Sequence, residues 1–199
     1  MSEYIDITPN PRVLRMLGRI DFKAWQCLAE LIDNSIDAFI EHVQDTPRVK
    51  ITLPKKGFIN DQNSAIELSD NGMGMDEATL QNSIRAGFSG NDPVEKMGLF
   101  GMGFNIATAR LGGRTEIQTG TKESDEWLVV VIDFKELEAS GKFEVPIKSI
   151  PKSTGENNRH GTSIRISRLN ADKCKPLYRR ANILDRLGKI YGRIIRDKN

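Results

Sequence analysis

Between residues 22 and 45, apolar side chains return every three or four positions. Leu28, Leu31, Ile32, Ile36, Phe39 and Val43 share one side of a 3.6-residue period, and Glu30, Asp33, Asn34 and Asp37 share the other. The pattern predicts a long helix over 22–45. Alternating, β-branched residues at 48–53 predict a strand, closed as a turn by Pro54-Lys55-Lys56-Gly57. A short strand is predicted over 65–69, running into Asp70-Asn71-Gly72-Met73-Gly74-Met75. Asp76 then caps a helix to about Arg85, with Glu77 in its first turn. Residues 86–97 read as a loop, and a second helix runs from near Gly103 to Gly112-Gly113. Strands follow at about 114–119, 127–134 and 162–167, with 142–150 as a further one, and a basic helix covers about 179–196.

Helices interleaved with hairpin-like strands predict an α+β fold: a helical layer on one face of a mixed, mostly antiparallel sheet. The regular βαβ alternation of a doubly wound fold is missing. No repeat or low-complexity linker divides the chain, so a single domain over 1–199 is expected.

The polar side of the first long helix changes this picture. It carries three carboxylates and an amide with no Lys or Arg one turn away, whereas a solvated face usually mixes signs in i,i+4 pairs. An acidic surface stripe is one reading. The other is a site where a divalent metal with a polyphosphate compensates the charge.

Two glycine motifs bear on the choice. Asp70-Asn71-Gly72-Met73-Gly74-Met75 reads as a tight turn, or as an adenine-recognition element. In the second case Asp70 accepts from an exocyclic amine, a charge-assisted bond of roughly 1.5–3 kcal/mol. Gly72 and Gly74 let the backbone approach the base, and Met73 and Met75 supply soft apolar contact. In Gly98-Leu99-Phe100-Gly101-Met102-Gly103-Phe104 a glycine-rich turn enters a helix and presents backbone N–H groups to an anion. Its order is neither the Rossmann fingerprint nor a Walker A loop. The preceding 87–93 reads as a lid. Gly161-Thr162-Ser163 opens a strand; it reads as a structural pair, or as one whose Thr162 hydroxyl fixes a bridging water or the Asp70 carboxylate. His160 has no evident partner and reads as a surface residue.

Composition narrows the class. Apolar residues make up 38% and charged residues 28% of 199, a globular composition, and a net charge of +2 gives no whole-protein pull toward polyanions. No apolar run approaches the ~20 residues needed to span a bilayer. The acidic N-terminus lacks a signal-peptide core. Cys27 and Cys174 read as free thiols and, with His42 and His160, make no metal-site spacing. A cytoplasmic location is expected, or a nuclear one in a eukaryote.

Four motifs stand in order: Glu30-x-x-Asp33-Asn34, Asp70-x-Gly72-x-Gly74, Gly98-x-x-Gly101-x-Gly103 and Gly161-Thr162. Each is weak alone, but the ordered set, covering about 20–168, resembles the GHKL ATPase superfamily of gyrase, the heat-shock chaperone ATPase, histidine kinases and MutL. The first two motifs are MORC-like, and 98–104 is closer to the chaperone form. The resemblance implies the Bergerat α/β sandwich with bound Mg-ATP. It implies Glu30 as the general base for the attacking water, Asn34 as magnesium ligand and Asp70 as adenine reader. It implies that Gly98, Leu99, Phe100, Gly101, Met102, Gly103 and Phe104 wrap the phosphates, with Gly72, Gly74, Met75 and Thr162 around the base. At i and i+4 on one helix, Glu30 and Asn34 can address a water and a metal at one polyphosphate. Asp37 is expected as a structural hydrogen-bond acceptor beside the nucleotide, and Asp33 as either a supporting group or solvent-facing.

These families bring a lysine to the γ-phosphate from a following domain, for which this sequence has no room. Lys96 and Arg85 are the available substitutes. Loss of one such charge donor costs on the order of 3 kcal/mol, so slow hydrolysis is expected. The expected function is an ATP-driven switch that dimerises through an ordered lid. A non-catalytic ATP sensor and a histidine kinase are the alternatives, the latter without its His-bearing helical hairpin. From 169 to 199 nine Lys/Arg face three Asp. That helix reads as a packed helix with a basic outer face, as a DNA contact, or as a connection to a downstream domain.

Overall fold

The computed structural model describes residues 12–41, 46–55, 61, 63–85, 102–153 and 160–196. In chain order they form α1 (Arg12–Leu17), α2 (Ala24–Glu41), β1 (Val49–Thr52), β2 (Ala65–Asp70), α3 (Glu77–Ile84) and α4 (Gly103–Leu111). Then come β3 (Gly112–Gly120), β4 (Glu126–Asp133), α5 (Phe134–Ser140), β5 (Ile147–Pro151), β6 (Gly161–Leu169), α6 (Ala171–Cys174), a 3-10 turn (Lys175–Tyr178) and α7 (Arg180–Arg196).

The strands make one sheet in the order β1-β2-β6-β3-β4-β5. A mixed, mostly antiparallel sheet is expected from the sequence, and every pairing among the described residues is antiparallel. Period-two alternation sends Ile66 and Leu68 of β2, Ile117 of β3 and Ile164 and Ile166 of β6 into the interior. Glu67 and Arg165, directly opposite each other in the ladder, point the other way and pair at 2.6 Å. The interior side packs against helices, so the fold is a two-layer α+β sandwich.

Two core clusters hold the layers together. One joins Cys27, Leu28 and Leu31 of α2 and Leu111 of α4 to the β2 and β6 side chains, and is closed by Cys174, Leu177, Ile183 and Tyr191. The other joins Leu14 and Leu80 to Ile117, Val130, Ile132, Phe134 and Leu137. Phe104 packs against both. Fully burying a leucine stabilises by about 1.5–3 kcal/mol, so α2 is fixed chiefly by its apolar side. Cys27 and Cys174 are buried free thiols, each pushed up to about 12 by burial first.

Local signals explain the boundaries. The Asp76 side chain accepts from the Thr79 N–H at 2.8 Å and starts α3. The strand expected over 127–134 stops at Asp133, whose side chain caps α5 by accepting from the Lys135 N–H at 3.1 Å. Gly141, at φ 67°, ends that helix. The strand expected from 142 begins only at Ile147. On α7 the packed face is narrower than the apolar pattern: Ile183 and Tyr191 are buried, whereas Leu184 is 70% and Ile195 61% exposed. No described helix is long and apolar enough to cross a membrane.

Candidate functional site

The sheet register sets the first part of the site. Asp70 at the end of β2 stands opposite Thr162 of β6, which stands opposite Thr119 of β3. Asp70, at one end of this row, lies against α2. Ser35, on the buried side of that helix, donates its hydroxyl to Asp70 Oδ2 at 3.0 Å. Asp70 Oδ1 accepts from the Gly72 N–H at 2.9 Å and the Thr162 N–H at 3.2 Å. A carboxylate has about four lone-pair positions, so three donors leave it one more N–H to accept. Burial raises the Asp70 carboxyl above its ordinary 3.8, and the Gly72, Ser35 and Thr162 donors and His160 pull the other way.

The Thr162 hydroxyl does not take the expected role on the carboxylate. It lies 3.0 Å from the Thr119 hydroxyl, and the contact to Asp70 comes from the Thr162 backbone instead. Thr119 Oγ1 also accepts from the Met75 N–H at 2.9 Å and lies 3.1 Å from the Gly161 carbonyl. Met75 packs its side chain against the second core cluster. Gly74 is needed for a reason the sequence does not display: its φ is 74°, and a Cβ there would strike the Gly120 carbonyl oxygen. His160, expected at the surface without a partner, has its Nδ1 2.6 Å from the Gly72 carbonyl and is half-buried.

The second part is the edge of α2. Glu30 is half-buried, Asn34 and Asp37 are exposed, and the apolar positions face the core, as the helical period requires. Among the described residues the Glu30 carboxylate and the Asn34 amide have no hydrogen-bond or ion-pair partner. Asp37 does have an interaction partner. Burial first, and the Asp33 charge second, raise the Glu30 carboxyl above its ordinary 4.5. Gly103, the first residue of α4, sits against Glu30 Oε2. Asp33 is neither solvent-facing nor idle: the Tyr191 hydroxyl donates to its Oδ1 at 2.6 Å.

Of the expected phosphate loop, Gly98, Leu99, Phe100 and Gly101 lie outside the described residues, as do Lys96 and the 87–93 segment. Met102 is half-buried just before α4, and Phe104 is half-buried and packs against both core clusters. Arg85 is exposed at the end of α3. A cavity of about 330 Å³ touches Asp70 and Thr162, but its wall is otherwise Arg48, Lys50, Ser69, Asn71, Gln118, Trp127, His160, Gly161 and Ser163. Lys50, Ser69, Gln118 and Ser163 alternate with the buried strand residues, so this cavity belongs to the sheet face away from the described helices. The Asp70 carboxylate faces the buried side of α2 instead, where Ser35 lies.

No group of three or more His, Cys, Asp or Glu among the described residues can hold a metal by itself. A magnesium ion fits here only as a shared ligand: it keeps several waters and takes phosphate oxygens, with few protein donors. The partnerless Asn34 amide suits that role.

Ser35, Thr119 and Tyr191 are the residues that sequence reasoning missed. Ser35 alone carried a signal, as a hydroxyl on the apolar side of an otherwise greasy helix.

The family model described as histidine kinase-, DNA gyrase B- and HSP90-like ATPase matches residues 22–162. Protein MICRORCHIDIA 2 of Arabidopsis thaliana is 33% identical over 103 residues, which are 52% of this chain and 16% of that protein. Protein MICRORCHIDIA 1 of the same plant is 32% identical over 103 residues, 52% and 15% of the two chains. Protein MICRORCHIDIA 3 is 29% identical over 133 residues, 65% and 21%. The matched region is thus about a fifth or less of each of these relatives. The chain belongs to the GHKL-type family of histidine kinase-, gyrase- and HSP90-like ATPases, with its similarity directed toward the MORC proteins.

Proposed function

We propose that this single domain binds Mg-ATP between α2 and the Asp70–Thr162–Thr119 row and hydrolyses it slowly. The observation that carries the reading is the pair of acidic groups with opposite provision: Asp70 held by three donors with one acceptor position left, and Glu30 half-buried with none. Asp70 accepts the adenine amino group, with Gly72, Gly74 and Met75 bounding the base side. Asn34 contributes the protein ligand to magnesium. Gly98, Leu99, Phe100, Gly101, Met102 and Gly103 supply backbone N–H groups to the phosphates, and Phe104 anchors that loop by packing into both core clusters.

When bound, the metal neutralises charge on the phosphates, and the chain's own residues do the rest. Glu30 takes the proton of a water positioned in line with the γ-phosphorus. Its raised basicity improves it for that task, because a base works best near the working pH. No described cation stands beside Glu30, in keeping with slow turnover until a lysine or arginine is supplied from elsewhere. Nucleotide ordering of the 87–103 segment then provides a dimer surface, making the domain a switch.

The test is Glu30→Ala. The variant is expected to bind Mg-ATP like wild type and to hydrolyse it at least about a hundredfold more slowly. Equal turnover of the two proteins would leave a non-catalytic ATP sensor as the correct reading.

A second activity, contact with DNA, is favoured by one feature. A cavity of about 530 Å³ between the start of α2 and α6–α7 is lined by Lys23, Lys173, Lys175, Arg179 and Arg186, against Asp21 and Asp172. Phosphate contacts of this kind weaken steeply with salt. Reversing Arg179, Arg180 and Arg186 to Glu should abolish salt-dependent DNA binding; unchanged binding would exclude this surface.

A further inference from the structure

α7 packs along α2 at two heights. The Arg186 guanidinium lies over the Trp25 ring at 5.4 Å, near the start of α2. Further along, Tyr191 is 6% exposed, and its hydroxyl lies 2.6 Å from Asp33 Oδ1 and 3.1 Å from the Ala29 carbonyl oxygen. One hydroxyl carries one proton, so the shorter, charge-assisted contact to Asp33 takes the donation. Ala29 and Asp33 are the first and last residues of the helical turn that contains Glu30. Asn34 is the next residue. The buried ring thus holds that turn from the side away from the sheet, while Ser35, one residue beyond Asn34, ties the same helix to Asp70 from the sheet side.

We propose that Tyr191 is a positioning residue of the nucleotide site: its bond to Asp33 fixes the turn of α2 that aims Glu30, and so makes α7 part of the catalytic apparatus. This rests on the ATPase reading of the same site. Without the bond, the turn of α2 that carries Glu30 loses its tie to α7. The aim of Glu30 then loosens, whereas nucleotide affinity, carried by Asp70 on the far side of α2, does not.

Tyr191→Phe keeps the ring and removes only the hydroxyl. It is expected to lower kcat about tenfold with the Mg-ATP dissociation constant unchanged. Asp33→Ala should cause a similar loss, and the double variant should be no worse than either single one, since one contact is removed twice. Hydrogen exchange of the backbone amides over 29–34 should quicken in Tyr191→Phe. Wild-type kcat in Tyr191→Phe, or losses that multiply in the double variant, would overturn the proposal. So would a fall in kcat that merely follows a fall in Tm. If wild type hydrolyses no faster than Glu30→Ala, the ATPase reading itself fails. Amide exchange then decides alone: quickening confined to 29–34 supports the clamp, and unchanged exchange refutes it.

Discussion

A Cβ placed on Gly103 would fall inside the Glu30 carboxylate, against Oε2. The first residue of α4 and the proposed base on α2 therefore occupy adjoining volumes, and the glycine is what lets the phosphate-loop helix begin there. Gly103→Ala must displace Glu30. In an exposed helix the same change would stabilise by up to about 1 kcal/mol through propensity. Here the expected result is a fall in kcat of about a hundredfold with little gain in Tm. Steady-state turnover beside a thermal melt checks it, and a wild-type kcat would mean that Glu30 does not act from this position.

Asp70 gives a stability prediction with a definite sign. Its carboxyl is raised above 3.8, with burial the largest cause, so the folded chain holds that proton to higher pH than the unfolded chain. The contribution is complete below the ordinary value and is lost as pH rises through the raised one. Glu30, raised above 4.5 by burial and by Asp33, acts in the same direction. Asp70→Asn should flatten this acid-side slope in ligand-free protein, because the amide still accepts from the Gly72 and Thr162 N–H groups and never ionises. Denaturant midpoints measured at rising pH from the ordinary carboxylate range upward check it.

The rate should follow the opposite trend. Glu30 works only when ionised, so kcat/KM, which reports the free protein, declines as pH falls through its raised pKa. The acid limb of the profile therefore sits above 4.5. A limb at or below that value would argue against Glu30 as the base.

Thr119 is fully buried and joins three segments: it accepts from the Met75 N–H, bonds the Gly161 carbonyl and meets the Thr162 hydroxyl. Thr119→Val keeps the shape and strands those groups. The cost should be about 1–3 kcal/mol of stability, with weaker nucleotide binding because the Asp70–Thr162 row loses its brace. Chemical denaturation and nucleotide titration measure the two effects; an unchanged midpoint would show that water replaces the hydroxyl.

Much of this was legible in the sequence, and the gaps have physical causes. α2 could be read because its period separates Glu30, Asp33, Asn34 and Asp37 from Leu28, Leu31 and Phe39 without ambiguity. Asp76 and Gly141 punctuate helices locally, but only Asp76 stood before a recognisable pattern. α5 was hidden because Asp133 ends a strand and caps a helix at the same residue. Thr119, Ser35 and Tyr191 act through partners 35 to 158 positions away, and no local pattern encodes such contacts. His160 was misread for the same reason, its partner Gly72 being 88 residues distant.

The central claim is that Asp70 and the edge of α2 form a seat for Mg-ATP. Isothermal titration of Mg-ATP into the wild-type chain and into Asp70→Asn tests it most directly. One saturable site in wild type, with affinity lower in the variant by at least about tenfold because an amide donor replaces an acceptor, is the expected result. No heat in wild type, or equal affinity in the two proteins, would contradict it.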